Sequence, residues 1–218
     1  MDANVISRLA QARVVVVGDV LLDRFIEGKV NRVSPEAPVP VLNHGAERHL
    51  LGGAGNVAAN LVAYGATARL VGVVGDDAGA IAIKALCAAA EGLDCRLVTV
   101  RHRPTTVKTR YLAGWHQLLR VDAEDASPLP AEVVDELLAA TATAMEEAAC
   151  VVLSDYAKGV LGSDTIPALI DLARQRGIPV IVDPKKTDAA IFAGATLLTP
   201  NADEMARFAG MRIGSDAE

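Results

Sequence analysis

Residues 13–17 form an unbroken β-branched apolar run that stops at Gly18-Asp19. This is the pattern of a strand buried on both faces that delivers a polar residue at its carboxyl end, where open parallel sheets place their functional groups. Apolar spacing then takes the helical period over 56–64, returns to a strand over 68–74, and continues with a helix from about 77 to 90 and a strand over 96–100. After an interruption the alternation resumes with a helix over 131–148, a strand over 150–153, a helix over 163–176 closed by Gly177, and a strand over 178–182. A short strand near 196–198 precedes a helix opening at about Ala202. Such repetition predicts an α/β fold: a doubly wound, mainly parallel sheet with helices on both faces and right-handed crossovers.

Two segments stand outside this rhythm. Residues 25–50 carry Pro35, Pro38 and Pro40 between short extended runs, and residues 105–122 read as two strands around Ala113-Gly114. Together they predict a small β-sheet lid, a two- or three-stranded flap, with two ordinary surface excursions as the plainer alternative. A flap of that size is marginal alone, so its exposed strands are expected to pair with a second copy and make a homodimer through the lid.

At 218 residues the chain suits one α/β domain spanning 1–218, and with half its residues apolar and 3% aromatic it fits helices packed on a Val-rich sheet. No apolar run is long enough to span a bilayer, and the first 13 residues lack signal-peptide order, so a cytoplasmic protein with no membrane partner is expected. A formal charge of −6 argues against a nucleic-acid partner, whose phosphates demand clustered Lys and Arg. Cys87, Cys95 and Cys150 are odd in number and widely spaced in apolar context, which favours buried free thiols over a disulfide or metal site. His44, His49, His102 and His116 show no metal-ligand spacing and read as loop residues.

Several short stretches could carry chemistry. Gly52-Gly53-Ala54-Gly55-Asn56 opens a helix, where glycines admit a ligand to the backbone and free N–H groups attract an anion or polyol; a plain glycine-rich turn fits the spacing equally. It matches neither the dinucleotide fingerprint nor the Walker A loop, which disfavours a Rossmann oxidoreductase, and no Gly-x-Ser-x-Gly elbow points to a hydrolase. Lys158 follows a buried strand and can project into the crevice as a point charge for phosphate, or stand as a solvated loop lysine. Lys108, Arg110 and Arg120 alternate with apolar positions in the lid segment, so period-two geometry can put Lys108 and Arg110 on one face, or all three can stand as exposed lid charges. Trp115, beside the Ala113-Gly114 turn, can stack on a sugar or pack the lid. Asn201 and Glu204 have N-cap and N3 spacing, a sufficient structural explanation, while a carboxylate and amide there also suit hydrated Mg²⁺. Ser215 to Glu218 repeats the capping-box spacing, as though a further helix began there.

In this order the pieces resemble the ribokinase-like, or phosphofructokinase B, carbohydrate kinase family. Residues 52–61 continued through 70–77 are similar to its first signature, and residues 17–24, 32–41, 153–159 and 198–201 are similar to its D-glycero-β-D-manno-heptose-7-phosphate kinase branch. The resemblance implies that Asp19, Gly52, Gly53 and Asn56 bind sugar hydroxyls, that Lys158 with Arg110 meets the substrate phosphate, and that Asn201 and Glu204 lie near Mg²⁺ and the phosphates of ATP. The second signature, Asp-Thr-x-Gly-Ala-Gly-Asp, does not occur in these residues. With it go the catalytic Asp and most of the adenine site, so the C-terminal part of the family fold is expected to be absent and this piece inactive by itself. A sugar-phosphate-binding or regulatory module is the competing expectation.

Overall fold

The computed structural model describes residues 9–186 and 188–210; the Ser215 to Glu218 pattern lies outside them. Strand β1 (Arg13–Gly18) is central, pairing in parallel with β4 (Thr67–Val74) on one side and β8 (Cys150–Ser154) on the other. With β5 (Leu93–Thr99), β9 (Val180–Asp183) and β10 (Leu197–Leu198) they form a six-stranded sheet in the order β10-β9-β8-β1-β4-β5. Every pairing in it is parallel.

The run of four valines in β1 has no polar alternation because both faces are covered. Val14 and Val16 pack with Ile83 and Cys87 of α2 (Ala78–Ala89) and Ala54 and Ala58 of α1 (Ala54–Ala63). Val15 and Val17 pack with Leu137 of α3 (Ala131–Ala144) and Leu169 and Ile170 of α4 (Thr165–Arg174). Each buried Val, Leu or Ile among them contributes about 1.5–3 kcal/mol of transfer free energy. Helix α3 stops four residues before its expected end. Arg69 of β4 donates Nη1 to the carbonyls of Ala144 and Glu146, and Glu147 turns left-handed at φ 58°. A cation on those free carbonyls caps the helix where apolar spacing alone continues it.

The second sheet is larger than the expected flap. Strands β2 (Val20–Val33) and β3 (Pro40–Gly53) form a long antiparallel hairpin, β6 (Val107–Ala113) joins β2 in parallel, and β7 (His116–Ala123) closes the order β3-β2-β6-β7. Its first hairpin starts at Val20 and returns at Gly53, where the sequence reading confined it to 25–50. Val20, Leu21, Leu22 and Leu51 are buried in the main core, so the same strands serve the core at their base and the lid beyond it. Among the lid's outlying side chains Val39, Leu118, Leu119 and Val121 are exposed, and Trp115 at the β6–β7 turn is fully exposed.

Two expectations are corrected here. Cys87 and Cys95 are joined as a disulfide with their Cα atoms 6.2 Å apart, while Cys150 stays free. The return from α2 into β5 brings together residues that eight positions of sequence appeared to separate. His44, His49 and His116 lie within lid strands and only His102 occupies a turn. No group of three His, Cys, Asp or Glu side chains among the described residues is arranged to hold a metal, and no helix among them is long and apolar enough to cross a membrane.

Candidate active site

The strand order changes direction between β1 and β8, so their carboxyl ends open a crevice at a topological switch point. The two strands approach closely there: a Cβ on Gly18 would sit 2.1 Å from the Ser154 carbonyl oxygen. Asp19 follows, 1% exposed, and its carboxylate accepts backbone N–H donors from Tyr156 at 2.7 Å and from Lys158 and Val160 at 3.1 Å. Burial raises its pKa, the three donors oppose that, and neighbouring Asp155 adds to it. Asp155, also buried, accepts from the N–H groups of Ala157 at 2.8 Å and Lys185 at 3.2 Å. Two carboxylates therefore shape the 155–160 loop and fix where Lys158 begins.

Beside Asp19, the chain returns from the lid through Gly52 and Gly53 into α1. Gly53 has φ 56°, and a Cβ there would lie 2.2 Å from the Asp19 carbonyl oxygen. A Cβ on Gly52 would lie 2.5 Å from Oδ2 of Asp23, so the missing side chain makes room for that carboxylate. Helix α1 has no side-chain cap; its Ala54 N–H donates to the Asp19 carbonyl at 2.9 Å, and Asn56 is exposed in the same turn. Asp23 was given no role by the sequence reading. Its signal was an acid in the otherwise apolar start of β2, but only the sheet register places it against Gly52.

Above this corner Asp23 is ion-paired with Nη1 of Arg110 at 2.5 Å. Lys108 reaches Asp122 at 2.9 Å and Glu124 at 3.3 Å, and Nζ of Lys158 donates to Glu124 at 2.8 Å. The Lys158 hydrogen bond is the strongest influence lowering the Glu124 pKa, opposed by burial and supported by Lys108. Arg103 braces the lid base, donating to the carbonyls of Asp125 and Lys158. The structure thus ties Asp19 to Gly53 and to the Lys158 backbone, and Asp23 to Gly52 and Arg110, while Lys158 Nζ turns to Glu124 and Asn56 is exposed in the first turn of α1.

Asn201 and Glu204 stand at a second corner, at the start of α5 (Ala202–Ala209) beyond β10. Both halves of the capping box are present: Glu204 N–H donates to the Asn201 side chain at 2.9 Å, and Asn201 N–H donates to the Glu204 carboxylate at 2.8 Å. Glu204 is 3% exposed and its other oxygen is ion-paired with Lys185. Burial raises the Glu204 pKa, but Lys185 and the cap bond outweigh it and the net shift is downward. Asp183, at the end of β9, has a raised pKa, chiefly from burial. A lysine between two carboxylates, Asp183 at the end of β9 and Glu204 in the first turn of α5 with both oxygens bonded to protein, suits phosphate oxygens and a hydrated divalent cation met through water.

Residues 11–218 match the family model described as pfkB family carbohydrate kinase. The chain belongs to the pfkB carbohydrate kinase family. It is 53% identical over 205 residues to the bifunctional protein HldE of Caulobacter vibrioides, covering 94% of this chain and 42% of that protein. To the HldE of Granulibacter bethesdensis it is 48% identical over 210 residues, covering 95% of this chain and 43% of that protein. The chain therefore spans less than half the length of these curated relatives. Among solved structures, the tetrameric inhibited form of Escherichia coli phosphofructokinase-2 matches with a TM-score of 0.73 at 19% identity, covering 94% of this chain and 66% of that one. Arabidopsis thaliana ribokinase complexed with ribose and ATP matches at 0.66 and 20% identity, covering 94% and 65%. At such identities the likeness shows the fold alone. It is the fold the pfkB resemblance implied, a parallel α/β sheet with a β lid.

Proposed function

We propose that this pfkB chain is the acceptor-binding part of an ATP-dependent sugar-phosphate kinase that phosphorylates C1 of D-glycero-D-manno-heptose 7-phosphate, a step toward ADP-heptose and lipopolysaccharide core. The observation that supports the reading is that Asp23, set against the Gly52-Gly53 turn, is ion-paired with Arg110, while Asp19 beside that turn accepts from the Lys158 backbone through its carboxylate and from Ala54 at the start of α1 through its carbonyl. A polyol needs carboxylate and amide partners, and its phosphate needs cations; the corner offers both.

In this reading Gly52, Gly53, Asn56 and Asp23 hold sugar hydroxyls. Asp19, whose oxygens are taken by backbone donors, positions the loop bearing Lys158. Arg110 and Lys158 face the 7-phosphate. Asn201, Glu204 and Asp183 face the nucleotide phosphates with hydrated Mg²⁺, which supplies charge neutralisation when bound. Positioning the acceptor beneath a closed lid contributes most of what these residues can do for the rate, and excludes water that would otherwise hydrolyse ATP. Removal of the acceptor proton belongs to the family's second signature, outside these residues.

The enzyme works in the cytoplasm as a homodimer. The lid's exposed Leu118, Leu119 and Val121 give a second copy an apolar face to cover, and light scattering reads this directly. The function is tested by incubating the full-length protein with ATP and heptose 7-phosphate and following ³¹P NMR. A new anomeric phosphate signal is expected. ATP consumption without it would overturn the proposal.

A further inference from the structure

One row of side chains crosses the whole lid. The register sets Arg48 of β3 opposite Phe25 of β2, Phe25 opposite Arg110 of β6, and Arg110 opposite Arg120 of β7. Side chains alternate faces along a strand, so this row shares its face with Asp23, two residues along β2, whose carboxylate lies against Gly52. The guanidinium carbons of Arg48 and Arg110 both lie over the Phe25 ring, 4.6 and 5.3 Å from its centre. Like charges on neighbouring strands destabilise a sheet, so two directly opposed arginines with a third beyond Phe25 require something to offset them.

The carboxylates nearby do not saturate these groups. Arg110 makes one hydrogen bond, from Nη1 to Asp23. Arg120 uses only Nε, on Asp122 at 2.9 Å, and Arg48 approaches Glu27 no closer than 3.6 Å. On the opposite face of β2, Arg24 is ion-paired with Glu47, Nη2 donating at 3.1 Å and Nε lying 2.8 Å from the carboxylate without hydrogen-bonding to it. The site-facing arginines keep donors unspent, and a guanidinium fork matches the oxygens of a phosphate dianion better than any other side chain does.

We infer that Arg48 and Arg120, with Arg110 and on the flat support of Phe25, form a cross-strand arginine row that recognises the phosphate remote from the reacting hydroxyl and so sets the preference for a phosphorylated over a neutral sugar. This rests on the sugar-phosphate reading above. Arg48 has no role in the sequence reading and Arg120 only a place among the lid cations, because their strands come together only in the folded lid.

The test titrates the protein with D-glycero-D-manno-heptose 7-phosphate and with the neutral heptose, reading the fluorescence of Trp115, the single tryptophan, at the lid tip close to Arg48. Arg48→Gln, Arg120→Gln and, as a control remote from the lid, Arg176→Gln are compared with the unaltered chain, and circular dichroism confirms that each is folded. The unaltered protein and the control are expected to bind the phosphorylated sugar more tightly than the neutral one. In Arg48→Gln and Arg120→Gln that ratio should fall by about tenfold or more, the scale of a lost charge-assisted contact. If the unaltered protein prefers the phosphorylated sugar and both variants keep the same ratio, the arginine row is wrong and the kinase reading stands. If the unaltered protein binds the two sugars equally, or neither, the sugar-phosphate reading fails and this inference with it.

Discussion

Replacing Asp19 by Ala separates two roles that the chemistry of this corner allows. In the structure its carboxylate is buried and accepts three backbone N–H groups from the 156–160 loop. Alanine would orphan those donors, at roughly 1–3 kcal/mol for each one left buried without a partner. Losing a buried charge, and water entering beside the loop, offset part of that. We expect a net destabilisation of about 2–4 kcal/mol, which for a domain of this size lowers Tm by roughly 5–15 °C. Asp19→Asn, which retains one acceptor oxygen, should fall between. Urea unfolding gives the stability, and hydrogen exchange of the Tyr156, Lys158 and Val160 amides gives the mechanism: all three should exchange faster in the Ala variant. The raised pKa of Asp19 adds a pH signature. Its contribution to stability is fullest below 3.8 and declines as pH rises through the folded-state value, and Asp19→Asn should abolish that slope. If Asp19→Ala instead keeps full stability and loop protection while sugar binding disappears, Asp19 contacts substrate and the account of this corner is refuted.

Three further outcomes follow from the same geometry. Gly52→Ala puts a Cβ against Asp23 Oδ2, the end of a movable side chain, so Tm should change by only a few degrees while sugar affinity, read by calorimetry, falls about tenfold or more. Lys158→Ala in the full-length enzyme should raise the KM for the sugar phosphate by about tenfold or more, the scale of about 1.5–3 kcal/mol, and leave the KM for ATP unchanged in steady-state assays. Glu124 has a lowered pKa, chiefly through Lys158, so its contribution is present above 4.5 and is lost as pH falls through its folded-state value; urea melts of Glu124→Gln should show a flatter acid limb than those of the unaltered chain.

The sheet was legible because its strands are all-apolar runs of β-branched residues punctuated by helical spacing, and β1 announces a doubly covered strand with four consecutive valines. The lid was legible as an interruption but not in extent, since residues 20–22 and 51–53 carry the apolar character of the core that they also belong to. The Gly52-Gly53 turn and the Asn201 to Glu204 cap are local patterns and could be read directly. The partners of Asp19 lie more than 130 residues away, and Asp23 meets Gly52 only through the β2–β3 register, so neither contact leaves a mark within a sequence window. The Cys87–Cys95 link failed for a related reason, because a helix-to-strand return folds a long spacing into a short distance.

The central claim is that the corner beneath the lid selects a sugar carrying a remote phosphate as the acceptor for ATP. Its most direct measurement is the initial rate of phosphorylation by the full-length protein across a panel of heptose 7-phosphate, hexose 6-phosphates, sugar 1-phosphates and neutral heptose. The highest kcat/KM is predicted for the 7-phosphate, with neutral heptose lower by about tenfold or more, the worth of one charge-assisted contact. Equal rates with and without the remote phosphate, or a preferred sugar 1-phosphate, would contradict it.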